Sequence, residues 1–193
     1  VKDHHGQTHP IAPHQPLPLV GGVGINTSSE TLCVAQIAID ADHEFFLAYG
    51  SVAATEARLN AIMNAVNTQY ASEAGITHQI STIIVRESPA DPYTSSDADT
   101  LLTQFGEHWD ANHTGVTRDI AHLFTGKNMN GGTIGLAWLA VICEDDTYGY
   151  GLTEGTFSPS FACVTDVCAH ELGHNWSCDH CACPSHTMNP SST

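Results

Sequence analysis

The stretch that decides the fold is Cys168–Pro190, "CAHELGHNWSCDHCACPSHTMNP". It holds four histidines, four cysteines, one glutamate and one methionine in 23 residues. His170 and His174 are four apart, so on a helix they project from one face, one turn apart, and can share a metal ion. Glu171 follows the first histidine. It sits beside the metal rather than on it, where a carboxylate can take a proton from metal-bound water. This is the H-E-x-x-H zinc-hydrolase arrangement. At this composition it is expected by chance about 0.03 times, so it carries information. His180 comes six residues after His174. On a straight helix that is a rotation of about 240° and an advance of about 9 Å. The helix must therefore end between them and the chain fold back. Three imidazoles with an open position for water form the catalytic zinc pattern, whereas a structural site is closed by a fourth protein ligand. Cys178, Cys181 and Cys183 are available to close it, but Glu171 would then have no role.

The zinc-binding stretch ends a longer helical pattern, "SPSFACVTDVCAHELGHNW". Ser158 is its candidate N-cap with Pro159 at the first helical position. Phe161, Val164, Val167, Cys168 and Leu172 supply an apolar face. Upstream, strands are predicted at 31–40, 76–87, 118–126, 131–143 and 148–155. Leu59, Ile62, Met63, Val66 and Tyr70 fall at helical spacing, with Gly75 as a C-terminal stop. Leu101, Leu102, Phe105, His108 and Trp109 mark another amphipathic helix, capped by Ser95 or Ser96. The order β-α-β-α-β-β-β-α predicts an α/β chain, a mixed sheet with helices packed on it.

"HELGHNWSCDH" resembles the metzincin consensus H-E-x-x-H-x-x-G-x-x-H, and "HTMNP" resembles its Met-turn, with Met188 as an apolar floor under the metal. "RDIAHLFTGKNMNGGTIGLAWLAVIC" is similar to the same region of the adamalysin/reprolysin group, the snake-venom metalloproteinases and ADAMs. Pro190 fits that group too, so a tyrosine as a further zinc ligand is not expected. The resemblance covers about residues 31–190. It implies a zincin-like α+β fold: a five-stranded twisted sheet with an antiparallel edge strand, two long helices and an active-site helix. An upper part of about 31–174 would be followed by a small irregular subdomain of about 175–193. The implied activity is a zinc-dependent endopeptidase, with zinc on His170, His174 and His180 and Glu171 as general base; calcium is a further family-based cofactor. Thr133, Ile134, Gly135, Leu136 and Ala137 would be the edge strand on which an extended peptide adds, the glycines letting a second backbone approach. A catalytically silent relative that binds metal and peptide is the alternative.

Two departures stand out. Ser177 occupies the consensus glycine position, where the turn needs a positive φ, so either Ser177 is strained or the helix ends by another route. Cys181 follows the third histidine where adamalysins usually have Asp. The chain also ends five residues after Met188, short of the usual C-terminal helix of the family.

The whole composition narrows the partners. Against 21 acidic residues stand only five Lys and Arg, for a formal charge of −16. Binding to nucleic-acid phosphates or to an anionic membrane surface needs cations this chain lacks. Protein or peptide substrates are what the resemblance implies, with the oligomeric state open. Seven cysteines fit an oxidising, secreted setting and disulfides, with at least one thiol free, on a metal or paired outside the chain. Cys163 and Cys168 are about 140° apart on their helix and should not pair. Residues 1–30 read as a flexible tail rich in proline and histidine, and Glu144–Asp145–Asp146 as a candidate cation loop. Asn26, Asn112 and Asn175 begin glycosylation patterns, the last inside the zinc motif. His108, His122 and His186 read as structural histidines, with His186 a candidate for lining the cleft.

Overall fold

The computed structural model describes residues 32–142, 148–183 and 186–190. The predicted tail, the Asn26 pattern, Cys143 and the Glu144–Asp146 loop lie outside these.

Five strands form one mixed sheet in the order β2-β1-β3-β5-β4. β1 (Cys33–Ala41), β2 (Ile76–Val85), β3 (Ile120–Thr125) and β5 (Tyr150–Glu154) run parallel. β4 (Gly135–Ala137) pairs antiparallel with β5 and forms one edge. Parallel strands must be covered on both faces, and side-chain alternation in β1 shows how. Ile37 and Ile39 face a cluster with Leu59, Ile62, Met63 and Val66 of helix α2 (Val52–Ala74) and Val164, Cys168 and Leu172 of helix α4 (Phe161–Asn175). Ala38, between them, faces Leu101, Phe105 and Trp109 of helix α3 (Ala98–Asn112).

The helix ends are set by local chemistry. The Ser51 hydroxyl accepts from the Ala54 N–H at the start of α2, and Gly75 ends it at φ 66°. A short helix, α1 (His43–Tyr49), precedes it and was not predicted. Asp42 caps α1 by accepting from the Phe45 N–H at 2.8 Å, and Gly50 ends it at φ 73°. Two expected caps move. α3 is capped by Asp97, which accepts from Thr100, while Ser95 instead accepts from the Asp97 N–H. α4 is capped by Ser160, not Ser158, because the helix starts at Phe161, after Pro159. In each case the residue adjoining the first full turn wins, since only its side chain reaches the free N–H groups there.

The predicted strand 131–143 shrinks to three residues. Gly131 and Gly132, at φ 75° and 79°, turn the chain before it. Beyond Trp138, whose N–H still reaches the Tyr150 carbonyl, the backbone leaves the sheet and from Ala140 on hydrogen-bonds with α4. Thr133 and Ile134 therefore precede β4, although Ile134 still accepts from the Glu154 N–H at 2.8 Å. No disulfide joins the described cysteines: 33, 163, 168, 178, 181 and 183 are all free thiols.

Candidate metal centre

α4 carries His170, Glu171 and His174 on its last turns and ends at Asn175. The chain then reverses through Ser177, whose φ is 74°. Serine thus adopts the conformation for which the consensus uses glycine, at a cost of about 1 kcal/mol. Two hydrogen bonds hold it there, from the Ser177 N–H to the His174 carbonyl at 3.0 Å and from the Cys178 N–H to the Gly173 carbonyl at 2.9 Å. The reversal brings His180 back over the helix.

The three Nε2 atoms of His170, His174 and His180 lie 3.0 to 3.1 Å apart. His170 Nδ1 is 2.6 Å from the Thr187 carbonyl and His174 Nδ1 is 2.8 Å from the Cys178 carbonyl. A carbonyl only accepts, so each Nδ1 carries the proton and each of these Nε2 atoms presents a lone pair. Lone pairs converging this closely repel unless a cation sits among them. Ligand nitrogens about 2 Å from a tetrahedral zinc are separated by roughly 3.3 Å, so this triangle suits zinc. Burial above all, with the neighbouring imidazoles acting the same way, holds His174 and His180 below the ordinary histidine pKa, and the neutral form is the one that ligates. No described thiol or carboxylate joins the cluster, and no second such cluster occurs among the described residues.

Glu171 is buried, and burial pushes its carboxyl up to about 8. A cation at the imidazoles pulls the other way. Its side chain lies against β4: a Cβ built on Gly135 would stand 2.7 Å from Glu171 Cγ and Cδ.

Residues 31–193 match a reprolysin-type model described as metallo-peptidase family M12. The chain belongs to this family. It is 36% identical over 94 residues to "Zinc metalloproteinase-disintegrin-like ammodytagin" of Vipera ammodytes ammodytes, covering 47% of this chain and 45% of that protein. It is 37% identical over 76 residues to "Snake venom metalloproteinase trimerelysin-2" of Protobothrops flavoviridis, covering 37% of each. The M12 chain thus aligns with less than half the length of these relatives. Among solved structures, one titled "Structure of a chaperone-substrate complex" superposes with a TM-score of 0.62 at 16% identity, over 79% of this chain and 24% of the other. At that identity the likeness concerns the fold alone.

Met188 was expected from the sequence, but the parts that Gly173, Thr187 and Tyr70 play around it were not. Met188 packs on Gly173: a Cβ there would lie 2.5 Å from the Met188 sulfur and 3.4 Å from the Tyr70 hydroxyl. Thr187 holds His170 through its carbonyl, while its hydroxyl bonds Asp166 at 3.1 Å and accepts from Gln69 at 2.8 Å. The Tyr70 hydroxyl donates to the Ala169 carbonyl at 2.7 Å. The available signal was Gly173, a glycine inside a helix, which costs about 1 kcal/mol against alanine unless something must approach closely. Of the remaining histidines, His122 is fully buried beside Thr153, His108 lies by Arg86, and His186 is exposed. Asn175 is buried, which rules it out as a glycan acceptor in the folded chain.

Proposed function

We propose that this chain is a secreted zinc endopeptidase that hydrolyses extended polypeptides, with zinc held by His170, His174 and His180. The observation that carries the reading is the triangle of three Nε2 atoms within 3.1 Å, two with their tautomer fixed by a carbonyl, next to a buried carboxylate. Zinc, when bound there, supplies Lewis acidity that polarises a carbonyl oxygen and makes water more acidic. Glu171 accepts the proton of the attacking water and hands it to the departing amine. Among the described strands β4 pairs on one side only, with β5, which leaves its other edge within that sheet to take an extended peptide by backbone hydrogen bonds. Gly135, Leu136 and Ala137 would hold the peptide, with Thr133 and Ile134 leading into them. The venom origin in one relative's name supports secretion. The described helices include none long and apolar enough to cross a membrane.

The test is cleavage of an unfolded protein such as casein, with zinc content measured in parallel. Activity should vanish with a chelator and return with zinc. Glu171→Gln should keep zinc and lose at least about 10²-fold in hydrolysis. Hydrolysis at the wild-type rate by that variant would refute the role of Glu171. Tightly held zinc without any cleavage would refute the peptidase reading.

A further inference from the structure

Among the described residues two non-glycine residues have positive φ, Ala140 at 60° and Ser177 at 74°. Both donate their N–H to one acceptor, the carbonyl of His174, at 2.9 and 3.0 Å. The next carbonyl, of Asn175, accepts from Val141 at 3.1 Å and from Ile142 at 3.2 Å. Carbonyls at a helix C-terminus ordinarily lack partners within the helix. Here they are capped by the segment that directly continues the edge strand β4.

The side chain of Asn175 closes the loop of contacts. Its Nδ2 donates to the Trp138 carbonyl at 2.9 Å, one residue past β4, and to the Tyr150 carbonyl at 3.2 Å, in β5. Trp138 also donates its N–H to that Tyr150 carbonyl, so the carboxamide sits where the β4–β5 ladder ends. Gly151 makes the seat. A Cβ there would lie 3.3 Å from Asn175 Oδ1, 3.1 Å from His122 Nδ1 and 3.2 Å from the Ala137 Cβ. His122, Gly151 and Ala137 are cross-strand neighbours, so this notch runs across three strands directly beneath the end of α4. Ala140 in a left-handed conformation costs about 1 kcal/mol and persists only where its surroundings over-determine it.

We infer that residues 138–142 and Asn175 form a clasp tying the edge strand to the backbone of His174, so that a peptide bound on β4 strengthens zinc retention. Asn175 is its positioning residue. The inference rests on the zinc-peptidase reading above. A strand added to β4 holds it against β5, which fixes the Trp138 carbonyl, and the carboxamide then fixes the peptide unit between His174 and Asn175. Linkage makes the effect reciprocal: zinc must tighten the peptide by the same factor.

Zinc release into a chromogenic chelator reads this out, at chelator concentrations where the rate no longer depends on chelator. The probe is a short extended peptide with no zinc-binding group. In the wild-type protein it should slow release about fivefold or more. Asn175→Ala should speed release about 10- to 100-fold and abolish the peptide effect. Equal release with and without saturating peptide in the wild type overturns the clasp, and this arm needs no variant to fold. A folded Asn175→Ala protein with wild-type release and an intact peptide effect overturns it too. Failure of the wild type to bind zinc would sink both readings. Zinc binding and cleavage with peptide-independent release would sink the clasp alone.

Discussion

Gly135 has a second neighbour that the sequence does not announce. In the sequence it offers room for a substrate backbone beside the edge strand. In the structure that room belongs to Glu171, whose carboxyl packs where a Cβ would stand. Gly135→Ala should therefore displace the carboxyl and lower hydrolysis about 10²-fold. Zinc content should stay at wild-type level, because no imidazole is touched. Wild-type kcat in this variant would mean that Glu171 has freedom to move aside. The contrast with the metal ligands is one of range. His170 and His174 are legible because a helix fixes their spacing locally, and His180 because the helix cannot reach it. The sequence left Ser177 open between a strained turn and another end to the helix, and the structure gives it a φ of 74°. Thr187 and Asn175 were not legible: their partners, His170 and Trp138, lie 17 and 37 residues away in sequence.

Elements follow the same division between local and tertiary causes. α2 was readable from its apolar spacing to its stop at Gly75, because both act within it, while its Ser51 cap emerged only in the structure. α1 carried its own signals, Asp42 as cap and Gly50 as stop, but seven residues hold too little periodicity to announce a helix. β4 was overextended because residues 138–142 are as apolar as a strand and are drawn away only by α4. Between elements, His78 of β2 joins α2 to the end of α4. Asn67 Oδ1 accepts from the His78 backbone N–H at 2.7 Å and lies 3.0 Å from its Nδ1, while Trp176 donates to its Nε2 at 3.0 Å. With a donor aimed at Nε2, the ring must stay neutral, and burial lowers its pKa to about 4. The folded state therefore binds fewer protons than the unfolded chain, whose histidines titrate near 6.5, and stability must fall as pH drops. The loss begins near pH 6.5 and is complete near 4; between pH 7 and 5 it amounts to about 2 kcal/mol from His78. Burial lowers His122 to about 3, which adds in the same direction. Urea unfolding of the zinc-stripped protein measures this without the metal's own pH dependence, and His78→Gln should flatten the profile. An equal slope in that variant would assign the acid sensitivity elsewhere.

At the scale of the whole molecule the charge balance sets conditions that no single contact reveals. The five basic residues cannot offset 21 acids, and the four in the described region are already engaged. Arg86 pairs with the buried Asp40 at 2.7 Å, where Tyr93 and Trp109 also donate. Lys127 lies between Asp42 and Glu44, Arg118 lies 3.7 Å from Asp110, and Arg58 stacks on Phe161 at 4.7 Å. These cations fasten strands and helices together and leave most of the acidic surface to repel itself, which favours expansion. Salt screens such repulsion over a Debye length of about 30 Å at 0.01 M and 3 Å at 1 M, while partly buried pairs such as Arg86–Asp40 are screened much less. Added sodium chloride should therefore weaken what opposes folding more than what supports it. The Tm of the zinc-loaded protein should rise by several degrees between about 10 mM and 0.5 M sodium chloride. Sucrose of equal osmolality serves as the uncharged control. A flat or falling Tm would show that the paired cations, not the unpaired acids, dominate the electrostatic balance.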